Sequence, residues 1–141
     1  MAEIKCVVND PKTGKSYTKA LPDNSGVSGR KIGDKLTGSV VDLPGYELQI
    51  MGGSDIAGFP MRQDLDMNTR KKLLVKKGDV GIRKADRGTI YRKTVSGNTV
   101  SDITAQLTLK VIQHGSKSIE DLWGIKKEEK PAEAAPAPEK K

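Results

Sequence analysis

A nine-residue alternation in the last third of the chain is the feature that most constrains the fold. Its apolar positions are Ile103, Ala105, Leu107, Leu109 and Val111, and every residue between them is polar. A period of two residues puts these apolar side chains on one side of an extended segment. It predicts a β-strand with one face in the core and the other in solvent. The fold must therefore contain a sheet that buries one face.

Shorter segments of the same kind occur at the N-terminus. Ile4, Cys6 and Val8 alternate with the residues between them, and residues 9–14 have the Asn, Asp, Pro and Gly composition of a turn. Residues 16–21 then predict the second strand of a hairpin. The single cysteine has no partner for a disulfide, and we interpret it as a small buried core residue rather than as a reactive thiol.

Glycine and proline divide the middle of the chain. Residues 40–41 and 46–50 predict two short strands around a Pro44-Gly45 turn. The pair Gly52-Gly53 is expected to end the second of them. Residues 67–77 fit either a short helix or a strand. We favour the strand, because glycines recur after it at hairpin-like intervals.

The C-terminal part begins with a weak helix signal. Ser118 stands three residues before Asp121, which is the spacing of a capping box and predicts one closing turn of helix. Trp123 is expected to cover the open end of the core. Residues 125–141 combine low hydrophobicity, three prolines and mixed Lys and Glu, and this composition predicts a disordered tail.

Many short strands, Gly-rich turns and scarcely any helix predict an all-β domain. We expect a small, closed or partly open β-barrel with Gly-rich loops and minimal helix, because closure removes exposed strand edges. The barrel would occupy residues 1–124, and the Lys/Glu/Ala/Pro tail would occupy residues 125–141.

Positive charge is concentrated in residues 70–93, which carry ten Lys or Arg against two Asp, or a net +8. The other 117 residues carry 15 basic and 16 acidic groups. Such polarisation is typical of a polyanion binder. The alternative is a solvated surface, but a solvated face normally intersperses both signs. Basic groups flanking short strands are expected to project onto one face.

Recognition of phosphates and shape is the mode that this composition favours. Aromatic residues make up only 4% of the chain. That argues against a single-strand reader, which stacks bases on several exposed rings. Neither of the Gly-rich nucleotide-binding motifs, G-x-x-x-x-G-K-[ST] and G-x-G-x-x-G, is present.

Two alternatives to nucleic-acid binding stay open. Asp64 and Asp66 lie two residues apart and would in principle hold Mg²⁺ in an enzyme that acts on RNA, although a turn explains them better. A β-barrel adaptor that binds acidic proteins is the second alternative.

Catalysis, metal binding and membrane insertion find little support. His114 is the only histidine and is expected at the surface, and no Cys/His spacing suggests a metal site. No apolar run is long enough for a membrane span or a signal peptide. We therefore expect a soluble cytoplasmic protein without catalytic residues, metal or cofactor.

Two runs of sequence carry a resemblance to a known family. The first, residues 52–64, reads Gly-Gly-Ser-Asp-Ile-Ala-Gly-Phe-Pro-Met-Arg-Gln-Asp, and the second, residues 92–106, reads Arg-Lys-Thr-Val-Ser-Gly-Asn-Thr-Val-Ser-Asp-Ile-Thr-Ala-Gln. In residue types and separation they resemble the small-subunit ribosomal protein S6e family of archaea and eukaryotes, in its archaeal form. The resemblance covers residues 2–123 and leaves out the tail.

The resemblance implies a β-barrel-like structural protein of the small ribosomal subunit, without enzymatic activity. Its implied partner is small-subunit ribosomal RNA, with neighbouring ribosomal proteins as further candidates, on the cytoplasmic ribosome. Off the ribosome we expect a monomer. The RNA-facing residues on the family's pattern are Arg62, Arg70, Lys71, Lys72, Arg83, Lys84, Arg87, Arg92, Lys93 and Asn98.

Overall fold

The computed structural model of the chain describes residues 3–22, 26–82, 84 and 86–124. The predicted disordered tail, residues 125–141, therefore lies outside the described residues. Within them the elements are the strands β1 (Ile4–Asn9), β2 (Ser16–Leu21), β3 (Lys35–Thr37), β4 (Glu47–Asp55), β5 (Arg70–Val75), β6 (Tyr91–Ser96) and β7 (Thr104–Gln113), a 3-10 helix (Gly38–Val41), and the helix α1 (Ile119–Trp123).

The strand with the clearest alternation is the centre of the fold. β7 lies between β1 and β4 in a five-stranded sheet of order β2-β1-β7-β4-β3. It runs parallel to β1, with Cys6 opposite Leu107 and Val8 opposite Leu109, and antiparallel to β4. Cys6 and both leucines are fully buried, so the predicted core face is confirmed here. The predicted N-terminal hairpin is also confirmed as the antiparallel pair β1–β2.

The alternation fails at the beginning of β7, where the sequence predicts Ile103 and Ala105 in the core. A register shift between Ser54 and Asp55 leaves Ala105 without a cross-strand partner on β4. Such a bulge reverses which side chains point inward. Thr104 is consequently 2% exposed, and its hydroxyl oxygen accepts a hydrogen bond from the backbone N–H of Ser101.

The closed barrel is not what the structure contains. β5 and β6 form a separate two-stranded sheet, and no ladder joins the edge strands β2 and β3 in the part of the chain that is described. The β5–β6 pair is connected to the sheet through residues 60–61, since isolated bridges join Met61 to Ser96 of β6 and Pro60 to Ser54 of β4. The fold is therefore mostly β, as expected, but its main sheet is open. Closure would need the edge strands β2 and β3 to pair with each other. Among the described strands, β2 instead pairs only with β1, and β3 pairs only with β4.

Two local predictions in the middle of the chain were wrong. Residues 40–41 belong to the 3-10 helix rather than to a strand, and it ends at Asp42, whose φ of 57° is left-handed. The pair Gly52-Gly53 does not end a strand, since β4 continues to Asp55. A Cβ on Gly53 would lie 2.2 Å from the carbonyl oxygen of Gln106. These glycines therefore permit close strand pairing rather than a chain reversal.

Loops and the C-terminal helix close the core over the inner face of the sheet. Ser118 caps α1, as predicted, by accepting a hydrogen bond from the backbone N–H of Asp121. The indole of Trp123 packs against the core and donates to the carbonyl oxygen of Val41 at 3.1 Å. None of the described helices is long and apolar enough to cross a membrane. The buried residues contributed from outside the five strands include Val27, Val41, Leu43, Tyr46, Met61, Val100 and Ile119.

Candidate nucleic-acid interface

The excess positive charge is carried by one hairpin, which we call the basic hairpin: β5, β6 and the segment 76–90 that connects them. Its strands pair antiparallel from Arg70 opposite Ser96 to Val75 opposite Tyr91. Val75 and Val95 are fully buried and attach the ribbon to the rest of the molecule. The favoured strand at residues 67–77 is confirmed as β5.

Basic side chains occupy both sides of this ribbon. Cross-strand partners share a side of an antiparallel pair, so Lys71 lies on the side of Val95, and Lys93 lies opposite Leu73. Lys72 and Arg92 belong to the other side. The prediction that the basic groups share one face does not hold for these two strands, because alternate residues of a strand point to opposite sides. Val75 and Val95 are buried on the side of Lys71 and Lys93, but both lysines stay exposed there.

The cations of the hairpin differ in whether they have an acidic partner. Among the described residues, eight exposed cations of the hairpin form no ion pair within 4.0 Å. An ammonium or guanidinium without an acidic partner can pair with an external anion without first breaking an ion pair. These eight are Lys71, Lys72, Lys76, Lys77, Lys84, Arg87, Arg92 and Lys93.

Arg70 is the one hairpin cation with an acidic partner among the residues that the structure describes. Its guanidinium donates from Nε to Oδ2 and from Nη2 to Oδ1 of Asp55, the latter at 3.0 Å. The carboxylate of Asp55 is fully buried at the end of β4, and the Arg70 side chain is 41% exposed. Hydrogen bonding to Arg70 holds the pKa of Asp55 below its ordinary value. The guanidinium also lies 5.6 Å from the ring centroid of Phe59, which is within cation–π range.

Arg62 is also paired, and it belongs to the loop before the hairpin. It donates from Nε and Nη2 to the carboxylate of Asp64 at 2.8 and 2.6 Å. The same loop contains Asp66, which forms an ion pair of 2.6 Å with Lys31. Hydrogen bonds from Arg62 and Lys31 lower the pKa values of Asp64 and Asp66, respectively. The two carboxylates proposed as Mg²⁺ ligands thus each have a cationic partner within the chain.

Asn98 lies in the loop after β6 and is hydrogen-bonded within the molecule. It is only 8% exposed. Its Nδ2 donates to the carbonyl oxygen of Gln63 at 3.3 Å, and its Oδ1 accepts from the hydroxyl of Thr99 at 3.0 Å. Its backbone N–H donates to Leu65 at 2.8 Å. Asn98 therefore holds residues 63–65 beside the end of the hairpin.

The Gly-Phe-Pro-Met segment supports the base of the hairpin through β6. Ser96 donates its backbone N–H to Pro60 and accepts one from Arg62, at 2.9 and 3.1 Å. Gly97 follows directly, and a Cβ there would lie 1.8 Å from the carbonyl oxygen of Met67. Only glycine permits this approach. The two sequence runs singled out above thus meet in space at the base of the hairpin.

The structure separates the sequence-predicted site residues into three groups. Lys71, Lys72, Lys84, Arg87, Arg92 and Lys93 are exposed on the hairpin, whereas Arg62, Arg70 and Asn98 lie at its base in polar contacts. Arg83 lies outside the described residues. Sequence reasoning missed Asp55 and Phe59 as partners of Arg70, although both lie in the first run.

A second polar region lies at the opposite end of the sheet. A cleft of about 460 Å³ is lined by residues that include Asp10, Tyr46, His114 and Glu120. His114 is not freely exposed there, since its ring lies 5.9 Å from that of Tyr46 and its Nε2 lies 3.5 Å from Oδ1 of Asp10. No group of three or more potential metal ligands occurs among the described residues.

Comparison with known proteins agrees with the motif resemblance. The sequence model of the family described as "Ribosomal protein S6e" matches residues 4–124. The chain is 42% identical over 125 residues to "Small ribosomal subunit protein eS6" of Methanocaldococcus jannaschii, covering 89% of this chain and 94% of that protein. It is 40% identical over 129 residues to the protein of the same name from Archaeoglobus fulgidus, covering 89% and 99%. The corresponding protein of Methanocella arvoryzae is 37% identical over 143 residues, covering the whole of both chains.

Proposed function

Since the chain belongs to the ribosomal protein S6e family, a family of structural and non-enzymatic components of the small ribosomal subunit, we propose that it binds ribosomal RNA through the basic hairpin. The observation that carries the proposal is the set of eight exposed hairpin cations without an acidic partner among the described residues. On a ribosomal protein, such cations find their counter-charge in RNA phosphates.

The shape of the hairpin suggests how it would engage RNA. Lysine and arginine project from both sides of a two-stranded ribbon, so the hairpin has the geometry to contact phosphates on two sides. A flat sheet face would contact them on one side alone. We therefore propose that the hairpin lies between RNA segments. Lys71 and Lys93 would contact phosphates on one side of the ribbon, and Lys72 and Arg92 on the other.

A salt titration of two matched variants tests this proposal. The hairpin variant replaces Lys71, Lys72, Arg92 and Lys93 by Gln. The control variant replaces four exposed lysines of the five-stranded sheet and its β1–β2 turn, Lys5, Lys12, Lys35 and Lys110, by Gln. Both lose four positive charges, and neither touches an ion pair among the described residues.

The slope of log affinity for small-subunit RNA fragments against log salt is the quantity to compare. Each phosphate contact on a duplex contributes about −0.9 to this slope. We expect the hairpin variant to lose roughly two to four units of slope, with a large fall in affinity. The control should keep most of the wild-type slope. Equal losses in both variants would show that the contact is diffuse and would overturn the assignment to the hairpin.

Two further comparisons complete the design. Ending the chain at Gly124 removes five Lys and four Glu, a net +1, and we expect a minor effect on binding because residues 1–124 are proposed to carry it. Association with cellular partners that survives nuclease treatment would instead favour an acidic protein as the ligand of the hairpin.

A further inference from the structure

From the contacts at the base of the basic hairpin, we infer that Asp55 and Arg70 are positioning residues that fix the hairpin on the five-stranded sheet, and that Arg70 is not itself a phosphate contact. The inference rests on the proposed function and deepens it. Within the basic hairpin, most arginines and lysines would then contact RNA phosphates, whereas Arg70 would hold the hairpin in the orientation that these contacts need.

The geometry of the pair suits an anchor. Asp55 is the last residue of β4 and Arg70 is the first residue of β5, so the pair joins the two sheets where both elements are already fixed by ladders. Two hydrogen bonds in a fork arrangement define the orientation of the guanidinium as well as its distance. Phe59 adds a contact with the guanidinium from a ring 5.6 Å away.

Other polar links between the hairpin and its support lie on the β6 side. The bridge of Met61 with Ser96 and the backbone hydrogen bonds of Ser96 with Pro60 and Arg62 all hold β6. Among the described residues, Arg70 with Asp55 is the only side-chain ion pair that joins β5 to the five-stranded sheet. Without it, β5 would be held to the sheet through β6 and apolar packing.

The burial of Asp55 explains why Arg70 would stay paired with it rather than turn to RNA. The carboxylate of Asp55 is fully buried, and removing its only ion-pair partner among the described residues would leave an uncompensated charge away from water, which is strongly unfavourable. Burial works against this carboxylate, but the hydrogen bonds from Arg70 outweigh it, so that the pKa of Asp55 is lowered and the group is ionised at neutral pH. A phosphate would have to compete with Asp55 for Arg70, whereas the neighbouring Lys71 and Lys72 form no ion pair with any described residue.

The substitution Asp55→Asn separates this role from general electrostatics by the sign of its effect. It makes the protein more positive by one unit, so a purely electrostatic contact predicts tighter RNA binding. A positioning role predicts weaker binding, because the hairpin cations are no longer held in one orientation. The control is Asp86→Asn, an exposed residue of the connecting segment, which adds the same charge and should bind slightly more tightly than wild type.

The substitution Arg70→Lys gives a second test with no change in charge. Lysine lacks the planar fork of donors, so a positioning role predicts weaker binding with an unchanged salt slope. A direct phosphate contact would be retained by lysine, and wild-type affinity would then overturn the inference. Amide hydrogen exchange should rise in β5 and β6 of both variants but stay unchanged at Leu107 and Leu109 of β7. This readout shows that the variants remain folded.

The outcomes distinguish the inference from the function on which it rests. If wild-type binding to small-subunit RNA is insensitive to salt, the proposed function fails. If wild type shows the expected slope but Asp55→Asn binds as tightly as Asp86→Asn, the function stands and the positioning role is overturned. If Asp55→Asn does not fold, Arg70→Lys alone decides between the two roles.

Discussion

Two adjacent glycines of the first sequence run are expected to respond oppositely to alanine. Both lie within β4 and neither has a positive φ, so backbone strain does not separate them. What separates them is space. A Cβ on Gly52 would meet no atom within 4 Å, whereas a Cβ on Gly53 would lie 2.2 Å from the carbonyl oxygen of Gln106 and 3.1 Å from the sulfur of Met61.

The magnitudes follow from this difference. Gly52→Ala reduces the freedom of the unfolded chain at a compatible position, which is expected to stabilise the protein by about 0.4–1 kcal/mol. Gly53→Ala has the same effect on the unfolded chain, but it forces β4 away from the backbone of β7. Overpacking of this kind costs about 1–3 kcal/mol and more when backbone must move. The two variants should therefore differ by at least about 1 kcal/mol in free energy of unfolding.

Urea denaturation of the two variants and wild type measures the difference. The midpoints should fall in the order Gly52→Ala, wild type, Gly53→Ala, with similar m-values. Equal midpoints for the two variants would refute the close pairing of Gly53 with β7. A reversed order of midpoints would show that Gly52, rather than Gly53, is the glycine without room for a side chain.

Three further predictions concern the core and its titratable groups. Leu109→Ala should cost about 2–5 kcal/mol, because this leucine is fully buried in the central strand, whereas the exposed Lys110→Ala should stay within about 0.5 kcal/mol; equally harmful substitutions in denaturant melts would disprove the register of β7. The lowered pKa of Asp55 stabilises the fold above the unfolded-state value of about 3.9, and this contribution is lost as pH falls through the lower folded-state pKa; urea midpoints should therefore drop more steeply below about pH 4 in wild type than in Asp55→Asn, and parallel curves would contradict the pair. Burial raises the pKa of the Cys6 thiol to about 11, so a thiol reagent at neutral pH should label Cys6 only on unfolding, and rapid labelling of the folded protein would show that β1 is open.

The sequence predicted well those elements that local pattern determines. The alternation at Ile4, Cys6 and Val8 and at Leu107, Leu109 and Val111 identified the core faces of β1 and β7, because a strand with one buried face imposes a period of two. The capping residue Ser118 was found for a similar reason, since a cap is a contact within four residues. Charge counting located the basic hairpin, because charge is a property of composition.

Features that depend on distant pairing were not predictable from one sequence. The parallel pairing of β1 with β7 joins residues about one hundred positions apart, and no local signal specifies it. The bulge at Ala105 depends on the partner strand, so it reversed the expected orientation at the start of β7. The pairing of Arg70 with Asp55 was missed because charge counting treats every arginine alike, whereas the folded chain gives one a buried carboxylate.

Crosslinking of the protein to RNA in assembled small subunits, followed by mass spectrometry of the crosslinked peptides, shows directly which part of the protein contacts RNA. If the basic hairpin binds RNA, crosslinks are expected at the hairpin strands and their connection, residues 71–93, with contacts on both sides of the ribbon. Crosslinks confined to the opposite end of the sheet, at residues 9–15 and 114–120, with none in the hairpin, would contradict it.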